Sequence, residues 1–180
     1  MRQVCVVTVF SLVAAVAVGC NETQPPAGSQ TVSTAAPAPA TGAAEYLLAS
    51  EPEGAADVIK VRESAGNDDQ VVIVGRIGGD VNPWIEGRAA FSIVDPSLKA
   101  CSDIPGDACP YPWDYCCATD QLPTAMAFVE VVDAEGKLVE TDARELLDLK
   151  ELQTVVVQGT ARRDDAGNLT VLATGLYVRK

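Results

Sequence analysis

The residues best suited to chemistry are four cysteines that lie close together in the second half of the sequence. Cys101, Cys109, Cys116 and Cys117 have seven, six and no residues between them, and prolines and aromatic residues fill the intervals. Thiolates bind soft metal ions, and paired thiols form disulfides outside the cytoplasm. The connection that carries them, residues 95–123, is long for a loop without its own helix or strand, and such loops are commonly functional.

We expect these cysteines to form two structural disulfides, because an even number of cysteines in one loop of an exported chain is typical of a disulfide staple. A bond between Cys116 and Cys117 would be strained, since adjacent residues rarely reach disulfide geometry. We therefore favour pairings in which Cys101 and Cys109 each bond to one member of the adjacent pair. A bridge that closes about 15 residues stabilises a fold by about 3 kcal/mol.

Two other kinds of site remain open. Four thiolates can complete the tetrahedral shell of zinc or copper, and Asp103, Asp107 and Asp114 could tune or join it, although the sequence lacks the CxxC pairs usual in structural zinc sites. The third alternative is a redox-active pair at Cys116 and Cys117, which lacks both a CxxC motif and an obvious cationic neighbour. The sequence therefore predicts no cofactor or, in the metal alternative, zinc or copper.

The first twenty residues predict that the chain is exported. Arg2 is followed by a mostly apolar run from Val4 to Val18, which is too short for a comfortable membrane span and fits a signal peptide. The segment ends in Ala17-Val18-Gly19-Cys20, which resembles a bacterial lipobox. We therefore expect lipidation at Cys20 and a membrane anchor in the cell envelope, facing the periplasm or the exterior. An ordinary secretory signal is the alternative.

A linker is expected to follow the signal peptide, which covers residues 1–20. Residues 21–44 are rich in Pro, Ala, Ser and Thr and offer too little apolar surface to offset the entropy of ordering. We expect this segment to be disordered and to lead into one domain spanning residues 45–180.

Charge and the absence of histidine exclude several functions. The formal net charge is −12, whereas nucleic-acid affinity comes largely from Lys and Arg, so a nucleic-acid partner is not expected. The sequence contains no histidine, which rules out Ser-His-Asp and Cys-His catalytic units, HExxH zinc sites and His-ligated haem. We find no other convincing constellation of acids and bases, and we therefore expect a binding or interaction domain without catalytic activity.

Five runs rich in β-branched residues predict a mainly β domain. They cover residues 70–77, 89–94, 125–133, 154–161 and 169–178, and a short return strand is expected at 137–140. Asp142 and Glu145 have the spacing of a capping box and predict a short helix between the third and fourth of these strands. Residues 53–64 predict another short helix, with a strand through residues 58–61 as its competitor.

This order of elements resembles an OB-fold, a five-stranded, partly open Greek-key barrel. The resemblance covers residues 70–178 and includes the stretch Val74-Gly75-Arg76-Ile77, which would let a long first strand bend. It implies that the helix plugs one end of the barrel, between strands three and four. The long cysteine-bearing connection between strands two and three departs from the pattern. The block Gly87–Cys117 is also similar to a motif of planctomycete-type exported lipoproteins, a family that brings no known activity with it.

Aromatic and basic residues define a candidate binding surface, which comprises Trp84, Trp113, Tyr115, Arg76 and Arg88. Exposed Trp and Tyr are typical of binding patches. The alternative is that the aromatic residues roof the cysteine cluster and shield apolar surface. We expect such a surface to take a protein or glycan partner, whose identity the sequence does not give.

Overall fold

The computed structural model describes residues 42–180, which form a mainly β domain. The predicted signal peptide, the lipidation site Cys20 and the predicted linker up to residue 41 lie outside the described residues. The helices are α1 (Ala43–Tyr46), α2 (Val58–Ser64), α3 (Leu122–Ala125) and α4 (Ala143–Leu147), and the strands are β1 (Ala56–Asp57), β2 (Gln70–Ile77), β3 (Ala90–Val94), β4 (Met126–Val131), β5 (Thr154–Arg163) and β6 (Leu169–Val178). None of the helices within residues 42–180 has the length and apolar character needed to cross a bilayer.

Five of the strands close into a barrel. Strand β2 pairs antiparallel with both β3 and β5, and β3 pairs antiparallel with β4. Strand β6 completes the circle, because it runs parallel to β4 and antiparallel to β5. The predicted barrel class is therefore confirmed. The two residues of β1 lie outside this circle and pair in parallel with Ile73 and Val74 of β2.

The barrel interior is filled by apolar side chains from alternate positions of the strands. Strand β4 alternates half-buried and buried residues along its whole length, as expected for a strand with one face on a core. Phe91, Val129, Val157 and Val171 are fully buried in this interior. Their burial explains the β-branched and aromatic residues that made these strands recognisable in the sequence.

Strand β3 differs from the others because all five of its residues are buried. Phe91 and Ile93 face the barrel interior, whereas Val94 belongs to a second, smaller apolar cluster with Ala100 and Tyr115 of the following loop. The cysteine loop therefore folds back over the outer side of the strand that precedes it. This packing fixes the position of the loop on the barrel.

A bulge interrupts the pairing of β5 with β6 at the glycine predicted to lie inside a strand. The register shifts between Gln158 and Gly159. A Cβ atom on Gly159 would lie 2.1 Å from the Leu172 carbonyl oxygen, so a side chain cannot fit at this position. The glycine thus permits the close approach of the two longest strands.

The helix predicted over residues 53–64 is confirmed from Val58 to Ser64, and it starts later than predicted because β1 precedes it. A buried carboxylate from the loop after β3 supports its first turn. Asp95 is 2% exposed and accepts a hydrogen bond from the Ile59 N–H at 2.8 Å, while its other oxygen accepts from the N–H and hydroxyl of Ser97. Asp95 therefore joins α2 to the end of β3.

The predicted helix after Asp142 corresponds to α4. The Asp142 carboxylate accepts a hydrogen bond from the Arg144 N–H at 2.9 Å and forms an ion pair with the Arg144 guanidinium. The return strand predicted at residues 137–140 is reduced to one bridge between Val132 and Leu138, because a tight turn follows β4 directly.

Candidate metal centre

Tyr115 is the buried anchor of the cysteine loop. Its side chain is fully buried beside Val94 and Ala100, on the outer side of β3. The residue has a left-handed backbone conformation, with φ of 57°, which turns the chain sharply between Asp114 and Cys116. The aromatic ring thus faces inward, while the chemically active residues on either side of it are brought together at the loop surface.

Two further contacts fasten the loop at the end of β2. The Gly79 N–H donates a hydrogen bond to the Trp113 carbonyl at 2.8 Å, and Arg76 forms an ion pair with Asp103. Asp103 also accepts a hydrogen bond from the Ala100 N–H at 3.1 Å. Both the first part of the loop and its aromatic stretch are therefore tied to the barrel.

The four cysteine side chains gather around Cys116. Its Sγ atom lies 3.3 Å from that of Cys101, 3.7 Å from that of Cys109 and 3.9 Å from that of Cys117. A disulfide needs an S–S distance of about 2.05 Å. All four thiols are free in the structure, so the two disulfides remain a prediction. Sulfur ligands of a tetrahedral zinc ion, each about 2.3 Å from the metal, lie about 3.8 Å apart, which is close to the distances observed.

The Asp114 carboxylate completes a group of four candidate ligands. Its Oδ1 atom lies 3.3 Å from the Sγ of Cys101 and 3.7 Å from the Sγ of Cys109. The ligand atoms of Cys101, Cys109, Asp114 and Cys116 all lie within 4.8 Å of one another. With a Zn–O distance of about 2.0 Å, sulfur and oxygen ligands on a tetrahedral zinc would be about 3.5 Å apart. The group therefore has the spacing of one tetrahedral shell.

A second group of three candidate ligands shares one cysteine with the first. The ligand atoms of Cys101, Asp107 and Cys117 also lie within 4.8 Å of one another. The Cys117 Sγ is 3.7 Å from the Asp107 Oδ2. Cys117 and Asp107 are exposed, whereas Cys101 is buried, so the two groups meet at the innermost thiol.

A repeated Asp-x-Cys pattern produces this arrangement. The Asp107 carboxylate accepts a hydrogen bond from the Cys109 N–H at 2.6 Å, and the Asp114 carboxylate accepts one from the Cys116 N–H at 2.9 Å. Each carboxylate is thereby held beside the thiols by its own turn. Both acids were predicted to tune or join the cluster, but the repeat, which was the available signal in the sequence for their role, was not recognised.

The centre concentrates negative charge. Asp107 and Asp114 belong to none of the ion pairs found within residues 42–180. Burial raises the pKa of Asp114, but hydrogen bonds from the Cys116 N–H and three thiols outweigh burial and place the pKa below its usual range. Contacts with the thiols of Cys101 and Cys109 raise the pKa of Cys116. The site thus combines an ionised carboxylate with crowded thiols that a cation would help to deprotonate.

Two aromatic residues of the predicted binding surface are buried, which corrects that prediction. Trp84 is 2% exposed, donates a hydrogen bond to Glu151 at 2.7 Å and has its ring covered by the Arg144 guanidinium. Tyr115 is the loop anchor described above, and its hydroxyl has no hydrogen-bond partner among the described residues. Neither side chain can contact a ligand at the surface in this conformation.

The remaining residues of that surface have separate surroundings. Arg76 is engaged by Asp103 and by the Leu152 carbonyl, and it therefore fastens the loop. Trp113 is half-buried and donates from its indole to the Val81 carbonyl at 3.1 Å. Arg88 is exposed and lies 3.5 Å from Glu140, away from the residues that hold the loop. These residues give less support to a ligand surface than the cysteine cluster gives to a metal site.

No protein-family model matches the chain, and no curated protein matches it.

Proposed function

We propose that this chain is a metal-binding protein of the cell envelope, without catalytic activity, and that its cysteine loop holds zinc. The ligands are the thiolates of Cys101, Cys109 and Cys116 and the carboxylate of Asp114. The observation that carries the proposal is the spacing of these four ligand atoms, all within 4.8 Å of one another around a carboxylate that has no cationic partner among residues 42–180.

The mixture of ligand types favours zinc over copper. Soft thiolates suit both zinc and Cu(I), but a carboxylate is a hard ligand that suits zinc better. The positions of both Asp107 and Asp114 beside the thiols therefore argue for a divalent ion. Zinc also tolerates the absence of histidine, since sulfur and oxygen ligands are sufficient for its tetrahedral sites.

The location and the fold class complete the proposal. The lipobox-like sequence ending at Cys20 supports a lipid-anchored protein that faces the periplasm or the exterior. The order in which the five barrel strands pair supports an OB-like barrel, with the cysteine loop as its insertion between β3 and β4. A protein or glycan partner would then meet the loop from outside, and the net charge of −12 argues against nucleic acid.

Two disulfides are the competing state of the same cysteines. The 3.3 Å separation of the Cys101 and Cys116 Sγ atoms favours it, because a small change of side-chain rotamers would bring this pair to bonding distance. An oxidising compartment favours it as well. The two states differ in mass, in thiol content and in metal content, so one experiment separates them.

The test is intact mass, thiol titration and metal analysis on the full chain purified without chelator, with Cys5 and Cys20 replaced by serine so that the four loop cysteines are its only thiols. We expect at least one zinc ion per chain and four thiols that become reactive after chelation. The Asp114→Asn variant should bind zinc more weakly, by about 10-fold or more, whereas Asp120→Asn, an exposed change outside both ligand groups, should not. A mass four hydrogens below the reduced value, with no thiol and no metal, would overturn the proposal and establish the disulfides.

A further inference from the structure

We propose that the loop binds two metal ions, which share the Cys101 thiolate as a bridging ligand. This inference rests on the proposed function. The first ion takes Cys101, Cys109, Asp114 and Cys116, and the second takes Cys101, Asp107 and Cys117.

The distances define one set of ligands for each ion, with Cys101 common to both sets. Within the second set, as within the first, all ligand atoms lie within 4.8 Å of one another. Cys117 is directed to Asp107, at 3.7 Å, while the backbone N–H groups of Cys109 and Cys116 orient the two carboxylates separately. Cys101 belongs to both sets, so a thiolate at its position lies between the two ions. Its side chain is 1% exposed, which makes it the innermost of the ligands.

Charge balance favours a second ion. Four thiolates and two carboxylates carry six negative charges, and neither Asp107 nor Asp114 has an ion-pair partner within residues 42–180. With one divalent ion on the first set, the Cys117 thiol keeps its proton, and the other five negative charges leave a residual charge of −3 on the cluster of a chain whose formal net charge is −12. A second divalent ion lowers the residual charge of the cluster to −2, and the cation replaces repulsion between crowded ligands by attraction.

The two ions differ in accessibility. The first has four protein ligands, which is the closed shell of a structural zinc site, whereas the second has three and keeps one position open. Two of the three ligands of the second ion, Asp107 and Cys117, are exposed. The second ion is therefore the exchangeable one, and the loop can take up or release it at the protein surface while the first ion stays bound.

The ligand sets predict which variants lose which ion. Cys117→Ser and Asp107→Asn each remove a ligand of the second ion and leave the first set complete. Cys109→Ser removes a ligand of the first ion. Cys101→Ser removes the bridge and is expected to weaken both ions. Asp120→Asn is the matched control, since it removes one exposed negative charge from the same loop without touching either set.

The experiment is native mass spectrometry of the reduced full chain, with Cys5 and Cys20 replaced by serine, titrated with zinc alone. We expect two ions per wild-type chain, one per chain for Cys117→Ser and for Asp107→Asn, and two for Asp120→Asn. A weak chelator should remove one ion from the wild type and none from the single-ion variants. Saturation of the wild type at one ion, or two ions retained by both variants, would overturn this inference and leave the proposed function standing. Failure to bind any zinc would overturn both.

Discussion

Replacing Gly78 by alanine should displace the cysteine loop from the barrel without changing any of the proposed ligand residues. A Cβ atom at this position would lie 2.4 Å from the Trp113 carbonyl oxygen and 3.1 Å from the Tyr115 ring. The first neighbour is a backbone atom and cannot turn aside as the end of a flexible side chain could. The same carbonyl accepts the hydrogen bond from Gly79 that ties the loop to β2. The loop must therefore move, and this hydrogen bond is lost.

The structure also sets the size of the effect. Gly78 has a φ of 155°, which L-residues rarely adopt. A strained backbone costs about 1–3 kcal/mol, and a lost hydrogen bond costs about 1 kcal/mol, so we expect Gly78→Ala to lower the free energy of unfolding by about 2–4 kcal/mol. Displacement of the Asp114 turn should weaken zinc binding by about 10-fold or more. This is the effect typical of changes to groups that orient the metal ligands.

The assay is urea unfolding followed by far-ultraviolet circular dichroism, together with competition for zinc against a chromophoric chelator. Gly106→Ala is the matched control, because Gly106 lies in the same loop, has φ of 82° and has no atom within 4 Å of an added Cβ. It should cost about 1–2 kcal/mol through backbone strain alone and leave zinc affinity unchanged. If Gly78→Ala proves no more destabilising than Gly106→Ala and binds zinc as tightly as wild type, the described docking of the loop is wrong.

Three further changes test the surroundings of the loop and the barrel. Asp95→Ala should lower the free energy of unfolding by about 2–4 kcal/mol in urea titrations, because it leaves the Ile59 N–H and two other donors without their acceptor; a loss below 1 kcal/mol would contradict the capping role. Tyr115→Phe should raise the unfolding midpoint, since it removes a buried hydroxyl that has no hydrogen-bond partner within residues 42–180; destabilisation would show that the hydroxyl is hydrogen-bonded. Hydrogen bonds from Arg144 lower the pKa of Asp142, so this carboxylate adds stability above its unfolded pKa of about 4 and loses it as pH falls through the lower folded pKa. The stability difference between wild type and Asp142→Asn should therefore shrink below about pH 4, and a difference that is constant with pH would exclude this linkage.

The strands were predictable because each is a run rich in β-branched residues with turn residues on either side. The runs at 70–77 and 169–178 match β2 and β6, and the capping residue Asp142 correctly located α4. The burial of Trp84 was not predictable from its neighbours, which are a proline and an exposed isoleucine. It depends on contacts with Glu151 and Arg144, more than fifty residues away in sequence. Local patterns carry no information about such long-range partners.

The candidate site was predicted in composition but not in arrangement. The cysteines and the neighbouring acids were identified from their types and spacing, and the preferred chemistry was disulfide formation because compartment was the strongest available argument. The distribution of ligands into two groups depends on the inward turn at Tyr115, whose left-handed backbone no sequence rule assigns to a tyrosine. The repeated Asp-x-Cys pattern was visible in the sequence, but its meaning required the hydrogen bonds from Cys109 and Cys116.

The separate apolar cluster under the loop determines how metal binding relates to folding. In small zinc domains the ion replaces a hydrophobic core, so the chain unfolds without it. Here the barrel has its own large core, and the loop packs on β3 through Tyr115 and Ala100 while its four thiols are free. The ligands are thus positioned before an ion arrives, and little of the binding free energy is spent on ordering the chain. The same packing leaves Cys117 and Asp107 exposed, so an ion held there can leave without disturbing the barrel. A folded support with exposed outer ligands suits reversible metal exchange better than a purely structural ion.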